Sequence, residues 1–374
     1  MKLSFLIYSY FPYGGQQRDF LRIANECTNR GHEVDVYAMR WQGDVPVGLN
    51  LIRVPVKART RTKLYRKYTD WVDNALQASA ASTVVGFNKM PLLDIYFAAD
   101  PCFADKAQTQ RGFYYKFTSR YRHFSSYENA VFGRSSKTQS LILSPQQRQA
   151  FEKHYPGCGD RLHELPPGLS TDRKVEKRDI KIRKQFREEF GIATNEFLLL
   201  QIGSGFKVKG VDRSLQAMAS LPEEILSRTK FMLVGQDKST AVDRLARRLK
   251  IVDRLSIFPG RDDIPRFLAG ADLLIHPAYM ESAGYVLLEA TIAGLPVLTT
   301  ASCGYSFHIE KAKSGIVCPL PFEQTVLNRN LLTMLNSLYQ EGWSDNGLEY
   351  GRKADLFSMP SAAADLIEKY AKIN

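Results

Sequence analysis

The stretch FLLLQIGSGFKVKG, residues 197–210, decides how this chain is to be read. FLLLQI is a short apolar run of strand length, Gly203 and Gly205 mark a turn, and a helical stretch begins at Lys209, next to Gly210. A strand feeding a glycine turn and then a helix leaves free amides at the positive end of a helix dipole, which suits an anion. The spacing is G-x-G-x4-G, whereas the dinucleotide fingerprint has two residues before its last glycine, so an NAD site is poorly supported. Lys207 and Lys209 add point charges that fit a diphosphate, the plain alternative being solvated surface lysines.

The same rhythm continues in both directions. Downstream, KFMLVG, a helix over 240–250, LSIFPG, DLLIHP and PVLTT alternate apolar runs with amphipathic ones, after a charged helix at 176–190. Upstream come LSFLIYSY, a helical QQRDFLRIANECTNRG, EVDVYAM, LIRVPV, a helix over 62–80, STVVGF, DIYFAA, SLILSP and a helix over 146–154. Between the halves lies HYPGCGDRLHELPPGLSTDRK, rich in Pro and Gly, which reads as the linker. The pattern predicts α/β architecture with parallel sheets: two doubly wound domains, 1–160 and 161–374, facing across a cleft, with the last helix packing back on the first. Ligands of such sheets bind beyond the carboxyl ends of the strands. Gly14 and Gly15, in YFPYGGQQRDFLRIAN, sit at such a place and form a second candidate anion cradle, the alternative being a tight turn alone.

Composition narrows the classes of function. At 374 residues, 44% apolar and 24% charged, the chain has the make-up of a folded soluble protein of two domains and not of a disordered one. The opening MKLSFLIYSYFPYGG resembles a first buried strand more than a signal peptide, and no apolar run approaches the roughly 18 residues needed to span a bilayer, so a cytoplasmic location is expected. The five cysteines are odd in number, widely spaced and lack a CxxC pair, arguing for reduced thiols. Of the net charge of +12, residues 1–160 carry +9, from 22 basic and 13 acidic side chains. That excess points to an anionic partner on the first domain.

ESAGYVLLEA, residues 281–290, sets two glutamates eight positions apart. A helix would separate them by about 12 Å. Paired hydrolase carboxyls stand about 5 to 9.5 Å apart, so an acid/base pair is disfavoured. A division of labour fits better: a turn at Ser282, Ala283 and Gly284, a helix from Tyr285 with amides open to a phosphate, Glu281 beside the reacting group, and Glu289 one turn in, able to accept two hydrogen bonds from a diol.

Together GGQQRDFLRIANECTNRGHEVDVY, GSGFKVKGVDRSLQA and ESAGYVLLEATIAGLPVLTT resemble the large retaining GT-B glycosyltransferase family often called family 4, whose signature is E-x7-E followed by A-x-G-x-P-V. Within it, the chain looks like the Gram-negative lipopolysaccharide core glucosyltransferases, which implies transfer of glucose from UDP-glucose to an inner-core heptose. The resemblance implies that Glu281 holds the sugar hydroxyls, that the amides of Ala283, Gly284 and Tyr285 hold the diphosphate, and that Glu289 holds the ribose. It implies further that Lys209 neutralises the departing phosphate, that Gly15 lets donor and acceptor meet, and that Arg261 in FPGRDD lies at the base-contacting loop. Asp100, at the end of DIYFAAD, falls near a histidine position of many relatives, Arg173 is a further candidate cation, and Asp19 on the first helix could reach the acceptor. Relatives commonly carry G-R-L where this chain reads GSGF, so a second diphosphate cation must come from Lys207, from Arg173 or from nowhere. No D-x-D stands in a metal-site setting, and EVDVY and RDDIP offer no ligand cluster, so no cofactor and no metal is expected.

Residues 103–134, FADKAQTQRGFYYKFTSRYRHFSSYENAVFGR, hold six Lys or Arg, two acidic residues and nine Phe or Tyr. That mixture suits an anionic membrane surface or a phosphorylated lipid acceptor, and predicts peripheral association with the cytoplasmic face of the inner membrane. The alternative is a helix pair with an aromatic core side and a solvated basic side. No nucleic-acid module is apparent, so no nucleic-acid partner is expected. Other readings are a GT-B enzyme with a different acidic or lipid-linked acceptor, a nucleotide-sugar epimerase, and a sugar-nucleotide-binding protein without catalysis.

Overall fold

The computed structural model describes the whole chain except Tyr13, Ala81, Tyr339 and residues 372–374, and every remaining side chain but that of Gln110. The chain divides into two compact units, the first comprising Met1–Gly168 with Phe357–Asn374 and the second Leu169–Leu356.

Each unit is built on a parallel sheet. In the first, seven strands run in the order Leu49–Arg53, Glu33–Ala38, Lys2–Leu6, Thr83–Gly86, Ile95–Phe97, Gln139–Ile142 and Leu162–Glu164, all neighbours parallel. Winding proceeds outward from Lys2–Leu6 in one direction and then from Thr83–Gly86 in the other, so the chain changes direction between those two strands. In the second unit the order is Leu255–Phe258, Thr229–Val234, Phe197–Ile202, Leu273–His276, Val297–Thr300 and Gly315–Cys318, again parallel throughout, and the reversal falls between Phe197–Ile202 and Leu273–His276. Such reversals leave a crevice at the carboxyl ends of the two central strands, because their crossover helices depart to opposite faces.

Helix packing follows the sequence period. On Gly15–Asn29 the side chains of Phe20, Ile23, Ala24 and Cys27, spaced 3, 1 and 3, are all fully buried. The charged helix starts at Ile180, four residues beyond the expected 176, because Asp179 caps it by accepting from the amides of Lys181 and Ile182 at 2.8 and 2.9 Å. Its Arg187 is buried against Asp272, at 3.0 Å, and Asp272 also accepts from the amide of Leu198 at 2.7 Å, which ties this helix to the central strand.

The boundary at 160 is corrected by the sheet. Leu162–Glu164, inside the Pro- and Gly-rich stretch read as linker, pairs with Gln139–Ile142 as the edge strand of the first unit, and the division comes at Gly168. The last helix, Met359–Ala371, belongs to the first unit as well. It packs on Gly15–Asn29, where Arg30 meets Asp365 at 2.6 Å and Glu368 at 3.4 Å, and His32 lies 2.8 Å from Glu368. All five cysteines are buried and free. Among the described residues no helix is long and apolar enough to cross a membrane.

Candidate functional site

Both loops singled out in the second half leave the carboxyl ends of the two strands that flank the reversal. Phe197–Ile202 runs into Gly203, Gly205 and Gly210, which have φ of 132°, 83° and 68°. These are left-handed values that favour glycine. At Gly210 a side chain is doubly excluded, since a Cβ would lie 2.1 Å from the carbonyl oxygen of Pro277. The turn is held from outside by Asp237, whose carboxylate accepts from the amides of Gly205 and of Phe206, the latter at 2.6 Å. Helix Val211–Ala219 follows, so Lys209 precedes the helix and does not open it. Gln201 fixes the Lys209 backbone by donating to its carbonyl at 2.7 Å.

From the neighbouring strand comes His276, fully buried, and five residues later Glu281. Glu281 accepts from Nζ of Lys209 with Oε1 and from Nε2 of His276 with Oε2, the latter at 2.6 Å. Burial pushes its carboxyl up, yet the His276 and Lys209 partners outweigh this and hold it at about 2 against an ordinary 4.5. Its backbone is stapled to the loop after Val297–Thr300: the Glu281 amide donates to Ser302 at 3.1 Å, Gly304 donates back to Glu281 at 2.9 Å, and Tyr305 donates to Ala283 at 2.7 Å. Gly284, at φ 103°, then starts helix Tyr285–Ile292. The amides of Ala283 and Gly284 have no acceptor among the described residues, and neither does the half-buried carboxylate of Glu289 have a donor. Glu281 lies on the turn before this helix, and Glu289, eight positions on, lies inside it.

His276, Glu281 and Cys303 have ligating atoms within 4.8 Å of one another, a possible metal triad. Within this cluster Lys209 neutralises Glu281, and burial, reinforced by the Glu281 charge, raises the Cys303 thiol to about 11. The cluster is a holder for Glu281. His276 and Asp237 went unnoticed in sequence; the only signal for His276 was its place as the last residue of the strand before the glutamate.

The other expected residues of this unit are more loosely placed. Arg261 is engaged bidentately by Asp263, at 2.6 and 2.8 Å, so it reaches a base only by exchanging that partner. Arg173 is half-buried in the short helix Thr171–Arg173, 3.5 Å from Asp172, and its Nη1 lacks a partner among the described residues. Lys207 is exposed, without an ion pair among the described residues. Asp263 of RDDIP is thus an arginine clamp, and in EVDVY both Glu33 and Asp35 meet Lys2, at 3.7 and 3.2 Å.

In the first unit, Gly14 caps helix Gly15–Asn29; a Cβ there would collide with Gln17 and Phe11, whereas at Gly15 the space is open for 4 Å. Asp19 is buried on that helix, 4% exposed. Asp100 does not end its strand: Ile95–Phe97 stops three residues earlier, and Asp100 is an exposed loop residue beside Tyr8, Asn88 and Lys89 at the first unit's own reversal. Residues 103–134 form the helices Phe103–Gln110, Phe113–Phe117 and Ser119–Phe132, the last capped by Thr118. Phe113, Tyr114 and Phe117 are 69%, 84% and 66% exposed, while Tyr127, Phe132 and Glu128 are buried, so the segment has both a core side and a bare aromatic side.

Comparison with known proteins agrees with this geometry. Residues 182–361 match the family described as Glycosyl transferases group 1. The chain is 46% identical over 368 residues to the lipopolysaccharide glucosyltransferase WaaG of Escherichia coli (strain K12), covering 98% of each. A crystal structure of WaaG, a glycosyltransferase involved in lipopolysaccharide biosynthesis, superposes with a TM-score of 0.91 over 98% of this chain and 99% of that one. Sucrose-phosphate synthase of Thermosynechococcus elongatus, at 16% identity, shares the fold with a TM-score of 0.78 over the full length of both.

Proposed function

The chain belongs to the group 1 glycosyltransferases and has their GT-B fold, and from that premise we propose that it transfers glucose from UDP-glucose to a heptose of the lipopolysaccharide inner core with retention of configuration. The observation that carries the reading is the Lys209–Glu281–His276 constellation at the second unit's strand reversal, beside amides that lack acceptors. A diphosphate arriving there takes Lys209 from Glu281. The amides of Ala283, Gly284 and Tyr285 hold its other oxygens, and no metal is needed to neutralise it. Glu281, released from Lys209 but still oriented by His276, accepts from the sugar hydroxyls, and Glu289 accepts from the ribose diol.

Chemistry at this site is electrostatic. The acceptor hydroxyl oxygen bonds to C1 of the glucose on the face the phosphate leaves, the C1–O bond to UDP breaks, and the proton passes to a phosphate oxygen. Lys209 stabilises the charge that grows on the leaving group. Glu281 is a positioning acceptor and not a nucleophile, since His276 holds one of its carboxylate oxygens and the sugar hydroxyls take the other.

The exposed Phe113, Tyr114 and Phe117, with the exposed Lys116 between them in sequence, support docking on an anionic bilayer from the cytoplasmic side, where a lipid-anchored acceptor is held. Proton NMR of the product formed from UDP-glucose and a heptose-terminated core in EDTA tests the reading. An α-linked glucose is expected; a β linkage, or a requirement for a divalent cation, contradicts it.

A further inference from the structure

We infer that the first unit contains an anion-selective subsite for the acceptor, a pocket that takes a carboxylate or phosphate group borne by a sugar. The inference rests on the transferase reading above and names the chemistry its acceptor must present. The pocket, of about 420 Å³, lies at the carboxyl ends of Lys2–Leu6 and Thr83–Gly86, the strands between which this sheet reverses. That volume is within the range of about 300 to 1,000 Å³ of small-molecule sites, and the reversal is where such sheets bind ligands.

Its wall is cationic. Arg61, Lys106, Arg111 and Arg120 line it, and none has an ion-pair partner among the described residues, while Asp100 is the one carboxylate there. Lys89 also lines it but is neutralised by the buried Glu128, 2.5 Å away. Glu128 also accepts from the amides of Phe103 and Ala104 at 2.7 and 2.8 Å, which fixes the first turn of the helix carrying Lys106. Four like charges around one cavity repel one another, and a bound anion relieves that repulsion. Arg111 and Arg120 lie 5.4 and 5.7 Å from the rings of Tyr115 and Phe124, which line the same pocket and present the guanidinium forks.

An independent observation is polar and buried. Tyr8, 9% exposed, stacks flat on Tyr65 at 4.0 Å in the pocket wall, and its hydroxyl has no hydrogen-bond partner among the described residues. Its amide donates to Oδ1 of Asn88 at 2.9 Å, so both reversal strands hold this wall in place. A buried hydroxyl without a partner costs stability unless a ligand supplies one, and aromatic walls suit the apolar face of a sugar ring. Phe113, Tyr114 and Phe117, the bare aromatic residues, are outside the lining, which separates this pocket from the bilayer-facing surface.

The test is calorimetric titration of the full chain with a soluble, deacylated heptose-containing core oligosaccharide that keeps its acid groups, and with the same saccharide after carboxyl reduction and phosphate removal. The acidic form is expected to bind at least about tenfold tighter, and that gap is expected to close in Arg61→Gln/Lys106→Gln, whose melting temperature and UDP affinity stay as in the intact protein. Equal affinity for both saccharides, or a gap unchanged by the double variant, overturns the inference. Phosphatidylglycerol vesicles that displace the saccharide only when Arg61 and Lys106 are present assign the pocket to a lipid headgroup and also overturn it. Charge-dependent binding without glucose transfer leaves the subsite standing and removes the proposed function instead.

Discussion

The two strand reversals of this molecule handle charge in opposite ways. In the second unit the central cation and acid are already together: Lys209 lies on Glu281, His276 holds the other carboxylate oxygen, and Arg261 is clamped by Asp263. In the first unit, Arg61, Lys106, Arg111 and Arg120 stand around a pocket with no ion-pair partner among the described residues. A paired site keeps its geometry before the substrate arrives and changes partners when it does, which is what fast chemistry on a fixed leaving group requires. An unpaired one relies on its ligand for neutrality, which gives selectivity for charge and a strong dependence on salt.

Breaking the comparison starts with the buried ion pair beside the first unit's pocket, Lys89 with Glu128. Glu128→Ala strands Lys89 and the amides of Phe103 and Ala104 around a buried hole, and should lower the unfolding free energy by about 4 kcal/mol in urea titrations. A change below about 1 kcal/mol would mean that water replaces the carboxylate.

Next in size is Glu281→Gln. The folded Glu281 carboxyl, at about 2, is depressed below its ordinary 4.5, so its contribution is complete above pH 4.5 and drains away as the pH falls toward 2. The intact protein should therefore lose roughly 3 kcal/mol more than Glu281→Gln across that window in paired acid melts. Parallel curves for the two would show that His276 and Lys209 do not stabilise the ionised form.

On the bare aromatic side, Phe113→Ser/Tyr114→Ser/Phe117→Ser should weaken co-sedimentation with phosphatidylglycerol vesicles by about 100-fold, given shallow burial of three aromatic side chains, while transfer to a soluble acceptor is unchanged. Vesicle binding that survives the triple change would put the membrane contact elsewhere.

Glu289→Ala sharpens the other half. With no partner to lose, it should raise the KM for UDP-glucose about tenfold with kcat nearly constant in steady-state kinetics, and an unchanged KM would separate Glu289 from the donor. Smallest is Arg30→Ala, which removes exposed pairs to Asp365 and Glu368 and should cost at most about 1 kcal/mol by thermal melting.

How much of this was legible beforehand depends on how local the signal is. Alternating apolar runs and amphipathic stretches announce two parallel sheets, because each buried strand needs an uninterrupted apolar segment of its own. Leu162–Glu164 escaped, being three residues long inside a Pro- and Gly-rich stretch, and only its pairing with Gln139–Ile142 makes it a strand. Glu281, Glu289, Lys209 and the glycines stood out since turn, helix start and charge fall within a few residues of one another. His276 and Asp237 did not: nothing in the five residues from His276 to Glu281 announces that the chain folds back to join them, and the amides that Asp237 holds lie more than 30 residues away in sequence. Glu128 was counted merely as one of two acids in a basic segment, yet it is buried and organises that segment. Asp100 shows the opposite error, since the apolar run continues through Ala98 and Ala99 after the ladder has ended.

The central claim is that Lys209 and Glu281 form the donor site of a glucosyltransferase. Labelled glucose should pass from UDP-glucose to a heptose-terminated lipopolysaccharide core with the intact protein in EDTA, and Lys209→Ala and Glu281→Ala should each reduce kcat by about 100-fold or more. Transfer at near the original rate in either variant, or none by an intact protein that binds UDP-glucose tightly, would contradict the account.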